Sequence, residues 1–89
     1  MITLANGETY AVYRCLISPM FGWLHIEFIR VSLADVERAV SDPAALETIV
    51  YENGEYRMTY TGYTEVQRIE ETEIGIKAVL MIPEETANE

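Results

Sequence analysis

The amino-acid sequence predicts a mainly β (α+β) protein, a small antiparallel sheet curled into a partial barrel with one short helix over one opening. Three features of the sequence predict this fold. Two Asn-Gly pairs, Asn6-Gly7 and Asn53-Gly54, are typical of tight β-hairpins. Apolar and polar residues alternate from Trp23 to Arg30, which is the pattern of a half-buried strand. Apolar residues at helical spacing follow Ser32 over one short segment.

Three strands are predicted in the first third of the chain. Asn6-Gly7, whose residues tolerate the positive φ of a type I′ turn, joins a strand Ile2 to Leu4 with a longer one, Thr9 to Ile17. The segment Ser18 to Gly22 contains Pro and Gly and predicts a hairpin loop before the strand Trp23 to Arg30. The alternation on that strand predicts three core residues: Leu24, Ile26 and Phe28.

One short helix is predicted to begin after Ser32. Ser32 is the expected N-cap, and Asp35 stands three residues later, where a capping box usually has Glu or Gln. Helical spacing indicates the apolar face that lies on the sheet: Leu33, Val36 and Val40. Asp42-Pro43 is expected to end the helix, because the residue before a proline disfavours the α conformation.

Three further strands are predicted in the second half of the chain. Asn53-Gly54 joins a strand Leu46 to Tyr51 with a long strand, Tyr56 to Ile69. Gly62, in the middle of that strand, indicates a bulge or bend that lets one strand serve two parts of a small barrel. The last strand, Ile74 to Ile82, is apolar on both faces in its second half, which predicts an interior position in the sheet.

The length of 89 residues predicts one globular domain, residues 1–83, followed by a polar C-terminal tail, residues 84–89. Apolar stretches fall well short of the roughly 20 residues that span a bilayer. The N-terminus lacks the basic and apolar regions of a secretory signal. A single cysteine, Cys15, permits no internal disulfide, which fits a reducing compartment.

The net charge of −9 argues against direct binding to nucleic acids or anionic membranes, which repel an acidic protein. Charges balance in residues 1–30, and the excess of acids lies further along the chain. Two interpretations of these acids stay open: solvated surface that keeps an apolar domain soluble, or a face that docks onto a basic partner. The candidate residues for such a face are Glu65, Glu70, Glu71 and Glu73.

Catalysis and cofactor binding find little support in the sequence. The one candidate is a pair formed by Cys15 and His25, with Glu27 two residues further along. The pair forms only if Leu16 lies opposite Leu24, and it offers no evident pocket or oxyanion hole. Cys and His residues are too few for a structural zinc site, and no phosphate-binding loop occurs. We therefore predict no enzyme activity, no metal and no cofactor.

Large apolar side chains in a hairpin loop are the most suggestive residues for binding, since they either fold back onto the core or contact another molecule. The six tyrosines are ordinarily explained by cross-strand packing, while an exposed aromatic patch anchors a partner protein. The candidate residues for this patch are Met20, Phe21, Trp23 and Tyr63.

Three segments and a closing apolar strand carry a resemblance to a known group of proteins. The segments are Ile2-Thr3-Leu4-Ala5-Asn6-Gly7-Glu8-Thr9-Tyr10, Ser41-Asp42-Pro43 and Tyr60-Thr61-Gly62-Tyr63-Thr64. Together they resemble small uncharacterised proteins encoded by phages and prophages of Gram-positive bacteria, and the likeness spans most of the chain. The resemblance implies a phage-derived protein of the tail or a neighbouring accessory module, and it carries no active-site pattern.

The leading hypothesis from the sequence is a non-catalytic protein-interaction module of phage or prophage origin, an accessory structural protein found in the virion or the host bacterial cytoplasm. Its partner is another protein, either a phage structural protein or a basic host protein. The alternative is an acidic inhibitor that occupies the basic nucleic-acid-binding groove of a host defence protein. A third hypothesis is a thiol enzyme that uses Cys15 and His25. Whether the chain also forms homo-oligomers stays open.

Overall fold

The computed structural model describes residues 1–83, and over that range the chain forms eight strands and two short helices. The strands are β1 (Ile2–Thr3), β2 (Thr9–Tyr10), β3 (Val12–Ile17), β4 (Leu24–Phe28), β5 (Thr48–Asn53), β6 (Tyr56–Thr61), β7 (Glu65–Glu71) and β8 (Ile76–Met81). The helices are α1 (Leu33–Ala39) and α2 (Pro43–Leu46). The prediction of a mainly β protein is therefore confirmed.

The eight strands form two four-stranded sheets, in which every pair of neighbouring strands is antiparallel. The first sheet has the order β2-β1-β5-β6, and the second has the order β3-β4-β8-β7. The sequence predicts a single curled sheet, whereas the strands of residues 1–83 divide between two sheets that do not close into a barrel. β4 and β8 are the inner strands of the second sheet, which confirms the interior position predicted for the last strand.

Two predicted long strands each pass from the first sheet to the second. The strand predicted from Thr9 to Ile17 is interrupted at Ala11, so that β2 pairs in the first sheet and β3 in the second. The strand predicted from Tyr56 to Ile69 is interrupted at Gly62, whose φ of +86° bends the chain between β6 and β7. Glycine adopts this left-handed conformation without a Cβ clash, so the bend predicted from the sequence is confirmed.

Both Asn-Gly hairpins form, but neither turn is of the predicted type I′, in which both central residues have positive φ. At the first hairpin only Gly7 has positive φ, and the Gly7 N–H donates to the Leu4 carbonyl at 2.9 Å. The Asn6 side chain instead accepts from the Glu8 N–H at 2.9 Å. At the second hairpin the two central residues follow Asn53, and of these only the first, Gly54, has positive φ. That is the pattern of a type II′ turn.

Helix α1 begins as predicted, and a second helix follows it. The Ser32 hydroxyl accepts from the Asp35 N–H at 3.1 Å, which caps the helix and satisfies one of its free donors. α1 ends before Asp42, as the proline rule predicts, but Pro43 then becomes the first residue of α2. Proline is favoured at this position because its missing N–H has no partner there, and Asp42 supplies the N-cap.

One apolar core lies between the sheets and the helices. The three predicted core residues of β4, Leu24, Ile26 and Phe28, have between 0% and 1% of their surface exposed. Fully burying one such side chain stabilises the fold by about 1.5–3 kcal/mol. α1 contributes Val36 and Ala39 to the same core, and so does its C-cap residue, Val40. Core side chains of the two sheets therefore bury one another in a single cluster. The predicted tail, 84–89, lies outside the described residues.

Candidate functional site

The loop between β3 and β4, residues 18–23, carries the most exposed apolar side chains of the described chain, and we call it the aromatic loop. The Ser18 N–H donates to the Trp23 carbonyl at 2.8 Å and closes the loop. Within it the Gly22 N–H donates to the Ser18 carbonyl at 2.9 Å, and Gly22 has a φ of +71°. The Ser18 hydroxyl also accepts from the Phe21 N–H at 3.3 Å. These bonds fix the backbone that presents the loop's side chains.

Two side chains of the aromatic loop project into solvent. Met20 is 81% exposed and Phe21 is 64% exposed. The Phe21 ring stacks on the Trp23 ring, with a centroid distance of 4.8 Å and an angle of 21° between the planes. Trp23 is half-buried, so it forms a base against which the exposed Phe21 ring is held. A held apolar side chain loses less conformational entropy when it binds than a mobile one does.

Tyr63, the fourth residue predicted for the aromatic patch, lies in the connection between β6 and β7. Its ring lies edge to face with the ring of Tyr60, at a centroid distance of 6.3 Å. Tyr63 is half-buried and packs against the apolar core. The Tyr63 ring therefore contacts the first sheet, whereas the Phe21 ring contacts Trp23 within the aromatic loop.

The outer face of the second sheet adjoins the aromatic loop and is built by simple alternation. Because alternate residues of β4 point into the core, His25 and Glu27 point away from it. Strand pairing then defines two rows of side chains across all four strands of this outer face. In the order β3, β4, β8, β7, the charged row is Arg14, Glu27, Lys77 and Glu70, and the middle row is Leu16, His25, Val79 and Arg68.

Charges alternate in sign along the charged row. Arg14 lies 3.6 Å from Glu27, and Glu70 lies 3.2 Å from Arg68 of the middle row. Lys77 stands between Glu27 and Glu70 in the row. Three of the six basic residues of this acidic chain therefore lie on one face. Arg14 and Lys77 were not predicted as site residues, although their positions in alternating strands were the available signal.

His25 lies in the middle of the outer face and is half-buried. Burial lowers the pKa of His25, and the positive charges of Lys77 and Arg68 lower it further. The side chain of His25 is thus favoured in its neutral form. Val79, its neighbour on β8, is 0% exposed and lies outside the main core cluster, so the outer face has a small apolar centre of its own.

Two shallow depressions of about 330 and 340 Å³ lie on the outer face, and both are lined by Arg14, Glu27 and Lys77. The first extends towards the aromatic loop and includes His25 and Pro19. The second extends towards the turn between β7 and β8. Both depressions are open, and a concave site that encloses a small molecule normally buries most of the ligand's surface. The outer face therefore suits a broad macromolecular contact better than a small substrate.

The predicted acidic residues lie on and beside β7, which is an edge strand of the second sheet. All four are exposed: Glu65, Glu70, Glu71 and Glu73. Glu70 lies on the outer face, whereas Glu71 pairs with Ile76, a core residue, and so points to the other side of the strand. Arg68 interrupts the acids on the outer face. The acids therefore follow a sheet edge and do not share one face.

The pairing that a thiol enzyme requires is absent from the hairpin. The pairing that the hypothesis assumes places Leu16 opposite Leu24, but the four-residue turn after Ser18 shifts the register by one residue. Cys15 then lies opposite Ile26 and faces the core, while His25 lies on the outer face. The condition for the Cys15–His25 pair is therefore not met, because a shift of one residue moves a side chain to the opposite face of a sheet.

Burial also determines the chemistry of Cys15. Its side chain is 5% exposed, and burial raises the pKa of the thiol to about 12. Its neighbour across the two sheets is Tyr60, whose hydroxyl donates to the Cys15 carbonyl at 3.4 Å. Since the thiolate is the nucleophilic form, this environment makes a poor nucleophile.

Within residues 1–83, no group of three or more His, Cys, Asp or Glu side chains is arranged to hold a metal ion. No helix in the same part of the chain is long and apolar enough to cross a membrane. Comparison with models of protein families, with curated proteins and with solved structures finds no match for this chain.

Proposed function

We propose that this protein is a non-catalytic protein-interaction module of phage or prophage origin, and that it acts as an accessory structural protein associated with the tail. The observation that carries the interaction role is the aromatic loop, where Met20 and Phe21 are largely exposed on a hydrogen-bonded backbone. Its phage origin rests on the resemblance of the sequence. The virion and the host bacterial cytoplasm are the proposed locations.

The aromatic loop has the properties of a binding anchor. Aromatic and methionine side chains are enriched in the buried centres of protein interfaces, and a few such residues supply most of the binding energy. Phe21 stacked on Trp23 offers one rigid apolar surface, and Met20 offers an adaptable one. A pocket on a partner protein that covers both exposed side chains gains their transfer free energy, about 1.5–3 kcal/mol for each side chain.

The test compares two variants in a capture experiment from phage-infected bacterial lysate. Immobilised wild-type protein is expected to retain virion proteins through steps of increasing salt, since apolar contacts are insensitive to screening. The double variant Met20→Ser and Phe21→Ser should lose these proteins. The matched control, Tyr56→Ser and Met58→Ser, removes two exposed apolar side chains from the first sheet and should retain them. Equal retention by both double variants would refute the role of the aromatic loop.

The second candidate is an acidic inhibitor that binds the basic nucleic-acid-binding surface of a host defence protein. The observation in its favour is the exposed edge of acids on and beside β7, Glu65, Glu70, Glu71 and Glu73. All four acids are accessible at this edge of the sheet, although they point in different directions. Contacts between such charges and a basic groove raise the association rate and weaken as salt is added.

This candidate predicts a different result in the same capture experiment. A basic nucleic-acid enzyme should be retained at low salt and released at moderate salt. Neutralising Glu65 and Glu71 to glutamine should reduce its retention, while the double variant of the aromatic loop should leave it unchanged. Retention that resists salt, or that depends on Phe21, would exclude the inhibitor.

A further inference from the structure

We propose that the outer face of the second sheet binds a second copy of this chain, so that the protein forms a symmetric dimer through face-to-face packing of two β3-β4-β8-β7 sheets. This inference does not rest on the proposed function. It uses the charged and middle rows of the sheet, and the exposed tip of the aromatic loop, Met20 and Phe21, takes no part in it. It therefore goes beyond that function and fails or succeeds separately.

The charged row is complementary to itself. Its signs across the four strands run positive, negative, positive, negative, from Arg14 through Glu27 and Lys77 to Glu70. A two-fold axis in the plane of the contact, parallel to the strands and between β4 and β8, reverses the order of the strands in the second copy. A reversed row reads negative, positive, negative, positive, so each charge faces an opposite one.

The two-fold axis defines the contacts between the copies. Arg14 faces Glu70 of the second copy, and Glu27 faces Lys77 of the second copy. Because the axis repeats each contact, the dimer contains four intermolecular ion pairs. Aligned packing of twisted sheets, at about 30°, is compatible with this axis because each sheet then lies about 15° to either side of it.

The middle row carries one charged residue, Arg68, and three uncharged ones. Under the same rotation His25 faces Val79 of the second copy, and Leu16, which is 38% exposed in the single chain, is covered by Arg68 of the second copy, whose charge is paired with Glu70 at 3.2 Å. The low pKa of His25 keeps this position uncharged near neutral pH, so two positive charges are not placed near the axis. A partner carrying charge of one sign matches only half of the alternating row, which favours a second copy as the occupant.

The size of the face sets the expected affinity. Four strands spaced by about 4.8 Å and two rows spaced by about 6.8 Å give a footprint of about 260 Å² per copy. A standard protein interface buries about 800 Å² per partner, so this contact belongs to the weak, reversible class. We expect a dissociation constant on the order of 100 μM at low salt.

The experiment is sedimentation equilibrium of the full chain from about 10 μM to about 1 mM. The wild type should dimerise, and Lys77→Glu and Glu27→Lys should each weaken dimerisation at least tenfold, because like charges then face each other. An equimolar mixture of these two variants should associate about as well as the wild type, since each variant supplies the charge that the other lacks. The matched control, Arg57→Glu on the first sheet, makes the same charge change as Lys77→Glu and should leave the dimer unchanged.

A second pair of variants covers failure of the first to fold, which circular dichroism detects. Arg14→Glu and Glu70→Lys should each weaken dimerisation and should restore it when mixed. A wild type that stays monomeric at about 1 mM overturns the inference, and so does a mixture that stays monomeric while both variants are folded. Neither result affects the proposed function, which the variants of Met20 and Phe21 test separately.

Discussion

The burial of Cys15 makes a quantitative prediction about thiol reactivity. At pH 7 a thiol of ordinary pKa, about 8.5, is roughly 3% thiolate, whereas one with a pKa of about 12 is roughly 0.001% thiolate. Burial therefore lowers the reactive fraction about three-thousandfold, and the 5% exposure of the side chain slows access as well. We expect a disulfide reagent such as DTNB to modify the folded protein at least a thousandfold more slowly than the same chain in denaturing urea.

The assay follows absorbance of the released thiol under both conditions, with urea titrated between them. If modification requires opening of the core, the rate should rise with urea in parallel with the unfolding equilibrium. Reaction of the folded protein within about tenfold of the denatured rate would show that Cys15 is accessible and ionised, which would refute the assignment of this thiol as a buried structural residue and reopen the thiol-enzyme hypothesis.

The same burial predicts how stability depends on pH. The pKa of Cys15 is higher in the folded state than in the unfolded chain. The contribution of this thiol to the free energy of unfolding is therefore complete below about pH 8.5 and falls as pH rises towards 12. The loss amounts to about 2 kcal/mol between pH 8.5 and 10. Urea denaturation of Cys15→Ala should show a correspondingly flatter pH profile than the wild type, and equal slopes would contradict the buried thiol.

Three further predictions concern the fold and the outer face. Gly75→Ala should destabilise the protein by about 3 kcal/mol or more in urea denaturation, because a Cβ there lies 2.2 Å from the Phe28 carbonyl oxygen, and a change below about 1 kcal/mol would contradict this contact. Arg30 has a φ of +58°, so Arg30→Gly should raise the melting temperature by relieving about 1 kcal/mol of backbone strain. A variant that melts at a lower temperature than the wild type would count against strain at this residue. Lys77→Gln should raise the pKa of His25 in an NMR titration, since it removes a neighbouring positive charge, and an unchanged pKa would show that this charge is not felt.

Local chemistry explains the parts of the fold that the sequence predicts well. The Ser32 cap, the bend at Gly62 and the core positions of β4 each depend on a few neighbouring residues. A hydroxyl near free helical N–H groups, a glycine without a Cβ and a two-residue alternation act within one turn or strand. The second helix was not predicted, because Asp42-Pro43 was interpreted only as the end of the first helix. Pro43 also occupies the first position of α2, where its missing N–H would have no partner within the helix.

The candidate site could be predicted from the sequence only in part. Exposure of Met20 and Phe21 follows from large apolar residues in a short loop, so the aromatic loop was predictable, and the half-buried position of Trp23 beneath Phe21 was not. The outer face required pairing partners for each strand. Without the register, Arg14 and Lys77 are isolated basic residues 63 positions apart in the sequence.

The sequence by itself determined the class of secondary structure, the two hairpins, the first helix and the alternation that separates core from surface. Only the tertiary structure decided how the strands divide between two sheets and which residues lie opposite one another. The physical reason is that propensity and alternation act over a few residues, whereas register depends on turn geometry and on packing between distant segments. The register between β3 and β4 placed Cys15 opposite Ile26 in the core and Arg14 opposite Glu27 on the outer face. The pairing of β4 with β8 and of β8 with β7 then extended that row to Lys77 and Glu70.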